Sequence, residues 1–131
     1  MMNNTGMAKI ALIDRHPLMR ECISNCLSGF DYAITLQAGD GKELLDQLTK
    51  ENAPDVCLLE FNPRKKEGYE TIKMLKSTCP NLKIAIYSMQ TGPVENKTPS
   101  GADVIIPDQT SIAAFKSTLD NLIQQQPIVV S

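Results

Sequence analysis

The chain predicts a doubly wound α/β fold: a five-stranded parallel sheet in the order 2-1-3-4-5 with helices on both faces. Three observations carry that expectation. Residues 55–62, Asp55-Val56-Cys57-Leu58-Leu59-Glu60-Phe61-Asn62, hold four apolar residues in a row between Pro54 and the polar run Asn62-Pro63-Arg64-Lys65-Lys66. That is the pattern of a strand buried on both faces. Short apolar, β-rich runs alternate with helical patterns along the chain, as right-handed crossovers between parallel strands require. Finally, 131 residues suffice for one core that buries about two thirds of the unfolded surface, and leave no comfortable room for a second domain.

Residues 9–13, Lys-Ile-Ala-Leu-Ile, form the first expected strand, stopped by Asp14-Arg15-His16-Pro17. Pro17 suits the first turn of a helix, where its missing N–H costs nothing. Leu18, Met19, Cys22, Ile23, Cys26 and Leu27 then lie on one helical stripe and are expected to face the core. Residues 32–36 are a second strand whose alternation places it nearer an edge. Asp40 and Glu43 have the spacing of a capping box, opening a helix with Leu44, Leu45 and Leu48 inward. The central strand follows. The basic loop Arg64-Lys65-Lys66 beside Glu67 reads as solvated, and Gly68 is expected to precede a third helix with Ile72, Leu75 and Cys79 inward, ended by Pro80. Residues 83–87 make a fourth strand with Ser88 at its end.

There the alternation breaks. Residues 90–101 contain two prolines and two glycines but one aliphatic residue, Val94, so the fourth covering helix is expected to be disrupted or missing. A short strand over residues 103–106 precedes a last helix with Ile112, Phe115, Leu119, Leu122 and Ile123 inward.

Composition narrows the function classes. A net charge of −2 provides no general attraction to nucleic acid, so none is expected to bind this chain itself. The four cysteines, Cys22, Cys26, Cys57 and Cys79, lie inside apolar patterns without paired zinc-type spacing and read as reduced core residues. No apolar run approaches the roughly 18 residues of a membrane span, and the N-terminus lacks a signal-peptide pattern. A cytoplasmic protein with no membrane partner is expected.

In a sheet of this order the ends of strands one, three and four meet, gathering Asp14, Arg15, Glu60, Asn62 and Ser88. Through Ile13-Asp14-Arg15-His16-Pro17-Leu18-Met19-Arg20-Glu21, Pro54-Asp55-Val56-Cys57-Leu58-Leu59, Ser88-Met89 and Gly101-Ala102-Asp103, residues 9–123 resemble the receiver domains of two-component response regulators. The likeness is greatest to those followed by a LuxR-type helix-turn-helix. It implies the flavodoxin-like receiver fold over residues 8–123, with residues 1–7 a disordered N-terminus and residues 124–131 the start of a linker.

A working receiver, as the family implies, needs a phosphate-accepting aspartate, two acidic residues that help hold Mg²⁺, a lysine after strand five and a switch hydroxyl after strand four. Asp14 matches the first acidic position, Asn62 the residue whose carbonyl reaches the metal, and Ser88 the switch hydroxyl. Glu60, however, stands at the acceptor position and Arg15 at the second acidic one. No lysine is available around Pro107-Asp108, and Ile105 replaces the aromatic that reports the switch. A guanidinium repels Mg²⁺ from a site that wants hard oxygen ligands. The extra methylene of glutamate moves its carboxylate by about 1.5 Å, which in-line transfer tolerates poorly.

The resemblance with its departures implies a pseudo-receiver in which Glu60 pairs with Arg15. Such a module is not an enzyme and takes no cofactor. It regulates without phosphorylation, by contact with a protein partner or a second copy through the surface of strand five and the last helix, where Val104, Ile105 and Phe115 would supply an apolar patch if exposed; a histidine kinase is a possible partner. The alternative is a conventional Mg²⁺-dependent phospho-receiver controlling a DNA-binding output domain, and a remoter one is a flavin-binding, flavodoxin-like protein. A hydrolase triad of His16, Ser88 and Asp14 is set aside for want of a nucleophile elbow, leaving His16 as a loop residue.

Overall fold

The computed structural model describes residues 7–88, 99–107 and 110–124. In chain order the elements are β1 (Lys9–Ile13), α1 (Pro17–Ser28), β2 (Ala33–Ala38), α2 (Gly41–Gln47), β3 (Val56–Glu60), α3 (Lys66–Thr78), β4 (Lys83–Tyr87), β5 (Val104–Ile106) and α4 (Ile112–Gln124). The strands form one five-stranded sheet in the order β2-β1-β3-β4-β5, every neighbouring pair parallel, as the sequence predicts.

Alternation along the inner strands sorts the core into two layers. Ala11, Ile13, Cys57, Leu59, Ile84 and Ile86 pack beneath Leu44 of α2 and Ile72 and Leu75 of α3. Ile10, Leu12, Val56, Leu58, Ala85 and Tyr87 pack on the other side against Leu27 of α1 and Leu119 and Leu122 of α4. β3, flanked on both sides, is buried through its first four residues, whereas β2 at the edge is half-buried through its first three.

Local chemistry explains most boundaries. Pro17 opens α1 at its first position. Asp40 caps α2 by accepting from the Glu43 amide at 2.8 Å, and the Glu43 carboxylate reaches back to the amide of Gly39 at 2.7 Å, one residue beyond the usual capping box. α3 starts at Lys66 and takes Gly68 inside it, contrary to expectation. A Cβ on Gly68 would lie 2.5 Å from Phe61 Cδ1, so this glycine serves close packing rather than stopping the helix. Gly101, with φ of +93°, turns the chain into β5, where the Asp103 carboxylate accepts from the Ile84 amide at 2.7 Å.

The expected apolar stripe of α1 holds at its inner end, where Leu27 is buried and Ile23 packs against the core layer, and is corrected at its outer end. Only Leu27 is buried on that helix; Leu18 is 78% exposed, and Cys22 is exposed as well. Leu18 sits in the first turn of α1, next to the C-terminal end of β1. Ile112, expected inward, is likewise exposed at the start of α4. Val104, Ile105 and Phe115 are half-buried and pack against the two core layers rather than forming an open patch.

Between β4 and β5 no helix stands among the described residues; residues 89–98, which hold most of the irregular segment, lie outside them. The expected disordered N-terminus lies outside the described residues except for Met7, as do Asp108 and all of the expected linker but Gln124.

Candidate functional site

Asp14 follows β1 directly and is the only charged residue fully buried among the described residues, at 1% exposure. A buried carboxylate must be hydrogen-bonded to persist, and its partners are specific. Tyr87 Oη–H donates to Oδ2 at 2.6 Å. The His16 amide donates to Oδ1 at 2.8 Å, and His16 Nδ1 lies 2.8 Å from the same oxygen. The Asp14 carbonyl accepts from Arg20 of α1. Alternation explains the Tyr87 contact: Tyr87 is the last residue of β4, pairs in register with Glu60, and lies on the α1/α4 face. Its phenol is pushed far above the usual range, first by burial and then by the Asp14 hydrogen bond and charge, so it stays a proton donor at any physiological pH.

Glu60, at the end of β3, is half-buried. It makes no side-chain hydrogen bond or ion pair with any described residue. Its carboxyl is raised above the ordinary glutamate value by desolvation first and by the charge of Asp14 next, with His16, Arg15 and Lys65 opposing.

The expected Arg15–Glu60 pairing is corrected. The Arg15 guanidinium donates to Glu67 Oε2 in the first turn of α3, and both side chains are more than half exposed. Arg15 therefore acts on Glu60 through its field alone. α3 starts at Lys66, three residues earlier than the sequence suggests, and Glu67 in its first turn meets Arg15.

These groups surround a cavity of about 270 Å³ whose walls include Asp14, Arg15, His16, Asp40, Glu60, Asn62, Lys65, Glu67 and Thr71. Four of the five residues singled out from sequence, Asp14, Arg15, Glu60 and Asn62, are thus brought together; Ser88 is half-buried and does not line the cavity. Asn62 is committed to the β3–α3 turn, its carbonyl accepting from the Lys65 amide at 3.0 Å and its side chain from the Arg64 amide at 3.0 Å.

Sequence reasoning missed Tyr87 and Glu67 and gave His16 no role beyond the loop. The available signal for Tyr87 was its place as the last strand residue before Ser88, on the face that β1 and β3 share with Asp14.

The fold implies a Mg²⁺ site here, and the resident groups do not fit one. Mg²⁺ demands near-octahedral oxygen ligands and gives up its waters reluctantly. Both oxygens of Asp14 already accept from Tyr87 and His16, and Arg15 puts a fixed cation in the cavity wall. Among the described residues no group of three or more His, Cys, Asp or Glu side chains is placed to hold a metal ion.

The family model described as "response regulator receiver domain" matches residues 10–120. The uncharacterized transcriptional regulatory protein YxjL of Bacillus subtilis is 33% identical over 84 residues, covering 63% of this chain and 38% of the relative. The nitrate/nitrite response regulator NarL of Escherichia coli is 29% identical over 89 residues, covering 67% of this chain and 41% of the relative. The chain thus spans about two fifths of the length of these relatives. Among solved structures, the receiver domain of a NarL from Mycobacterium tuberculosis superposes with a TM-score of 0.72 at 18% identity, covering 92% of this chain and 99% of that one. A receiver domain protein from Clostridium thermocellum reaches 0.75 at 18% identity, covering 95% and 100%. At these identities the structural likeness speaks for the fold.

Proposed function

We infer that this chain, which belongs to the response regulator receiver domain family, is a receiver-like regulatory unit that signals without phosphoryl transfer, as a pseudo-receiver. One observation carries the reading. Asp14, the acidic residue that would help hold the metal, spends both carboxylate oxygens on Tyr87 and His16. Transfer of a phosphoryl group depends on positioning and on cations that neutralise its charge. Here the acceptor position holds the longer Glu60, whose carboxyl is raised by burial, and Arg15 is tied to Glu67.

With that chemistry absent, regulation runs through protein contact. The surface is that of β5 and α4, where Ile112 is 65% exposed; the occupant is a protein partner or a second copy, with a histidine kinase as one candidate. The relatives named as transcriptional regulators support a place beside a DNA-binding output domain, with nucleic acid bound by that domain and not by this one. A cytoplasmic location fits this role; among the described residues no helix is long and apolar enough to cross a membrane. The family match gives no support to the flavin-binding alternative.

The test is incubation with acetyl phosphate and Mg²⁺ followed by intact-mass measurement. The expected result is no added phosphate. A single Mg²⁺-dependent phosphate that disappears in Glu60→Gln would replace this reading with that of a conventional phospho-receiver.

A further inference from the structure

A second hollow, of about 160 Å³, opens between α1 and α4, away from the strand-edge cavity, and is lined by Cys22, Ile23, Cys26, Thr110, Ile112 and Phe115. Cys22 and Cys26 stand four residues apart on α1, so both border the same space. Both are free thiols, Cys22 exposed and Cys26 half-buried. Free cysteine is normally among the most buried residue types, and core packing does not account for an exposed thiol beside a second one in an apolar hollow.

We propose that Cys22 and Cys26 form a two-thiolate site for a soft monovalent metal ion of the Cu(I) class. Side chains at i and i+4 of a helix hold their Cβ atoms about 5–6 Å apart. A disulfide needs about 3.8 Å, so the pair is too wide to close on itself without moving the backbone. An ion between the sulfurs spans the difference, since a metal–thiolate bond is about 2.3 Å long.

The surroundings choose the ion. Thiolates select soft ions such as Cu(I), and a closed zinc site would need four ligands. Among the described residues no cluster of three or more metal-binding side chains exists, while Ile23, Ile112 and Phe115 offer no ligand and shed water. A two-coordinate ion is what such a hollow satisfies. On binding, two S–H bonds give way to two Cu–S bonds, two protons leave to solvent and copper keeps its oxidation state.

The other thiols are poorly placed to compete. Cys57 is fully buried and its thiol is pushed up to about 12 by burial. Cys79 packs against the opposite core layer.

The test is anaerobic titration of the reduced full chain with Cu(I) held by bicinchoninate. One Cu(I) per chain is expected. Cys22→Ser and Cys26→Ser should each weaken retention about 100-fold, the gain that a second tethered ligand supplies, whereas Cys79→Ser should leave it unchanged. Circular dichroism of each variant separates lost helix from lost ligand, and copper X-ray absorption of the loaded chain should show sulfur neighbours only. Wild type that retains copper no better than the Cys22→Ser/Cys26→Ser double variant, or loss of copper in a folded Cys79→Ser, would overturn the proposal.

Discussion

Asp14 and Glu60 end neighbouring strands of one sheet, yet they live under opposite rules. Asp14 is sealed from water and held by a phenol, a backbone amide and an imidazole. Glu60 is half-buried, hydrogen-bonded to none of the described residues, and governed by desolvation and by the charges around it. On the pseudo-receiver reading proposed above, this contrast belongs to a site that binds itself rather than an outside ligand. Donors that belong to the protein already hydrogen-bond both oxygens of the Asp14 carboxylate, while Glu60, in the cavity wall, has its carboxyl raised by desolvation. A buried charge left unpaired costs several times what an exposed ion pair contributes, so the weight of the site rests on the Asp14 side.

Substitutions should follow that asymmetry. Tyr87→Phe should cost the most, about 1.5–3 kcal/mol of folding stability, because it deletes a hydrogen bond to a buried charged group; urea unfolding measures it. His16→Ala should cost about 1 kcal/mol, less because the backbone amide at position 16 still donates to Asp14.

Arg15→Ala should cost at most about 1 kcal/mol, the range of an exposed pair, and the cost should shrink with added salt. A loss as large as that of Tyr87→Phe would return Arg15 to the Glu60 side of the comparison.

Glu60→Gln should have the smallest effect and the opposite sign. A carboxyl whose folded-state value is raised contributes stability that is fully present below its ordinary value of 4.5 and is lost as pH rises through the folded-state value. Glu60→Gln should therefore melt slightly higher than wild type at neutral pH, with the gap closing as the pH falls below that ordinary value.

The sheet was legible in the sequence because its signals are local. An apolar run such as Val56 to Leu59 can be buried only between flanking strands, and Asp40 with Glu43 writes a helix start within four residues. The gathering of Asp14, Glu60 and Asn62 was legible too, since strand order alone brings their strand ends together.

Contacts decided at long range were not. Tyr87 reaches Asp14 across 73 residues, and only register and face parity together reveal it. Whether Arg15 meets Glu60 or Glu67 depends on where α3 begins, and Gly68 misled the sequence reading because its reason is the Phe61 ring it packs against. Leu18, Cys22 and Ile112 obey helical periodicity, but periodicity does not say how far each helix extends past the sheet it covers.

On the proposed reading, the Asp14 corner is closed to Mg²⁺ and to a phosphoryl group. A backbone-amide NMR titration with Mg²⁺, followed by beryllofluoride as a phosphoryl mimic, tests it directly. A closed corner leaves the amides around Asp14, Glu60 and Ser88 in place throughout; saturable, Mg²⁺-dependent shifts at those residues would show that it is open.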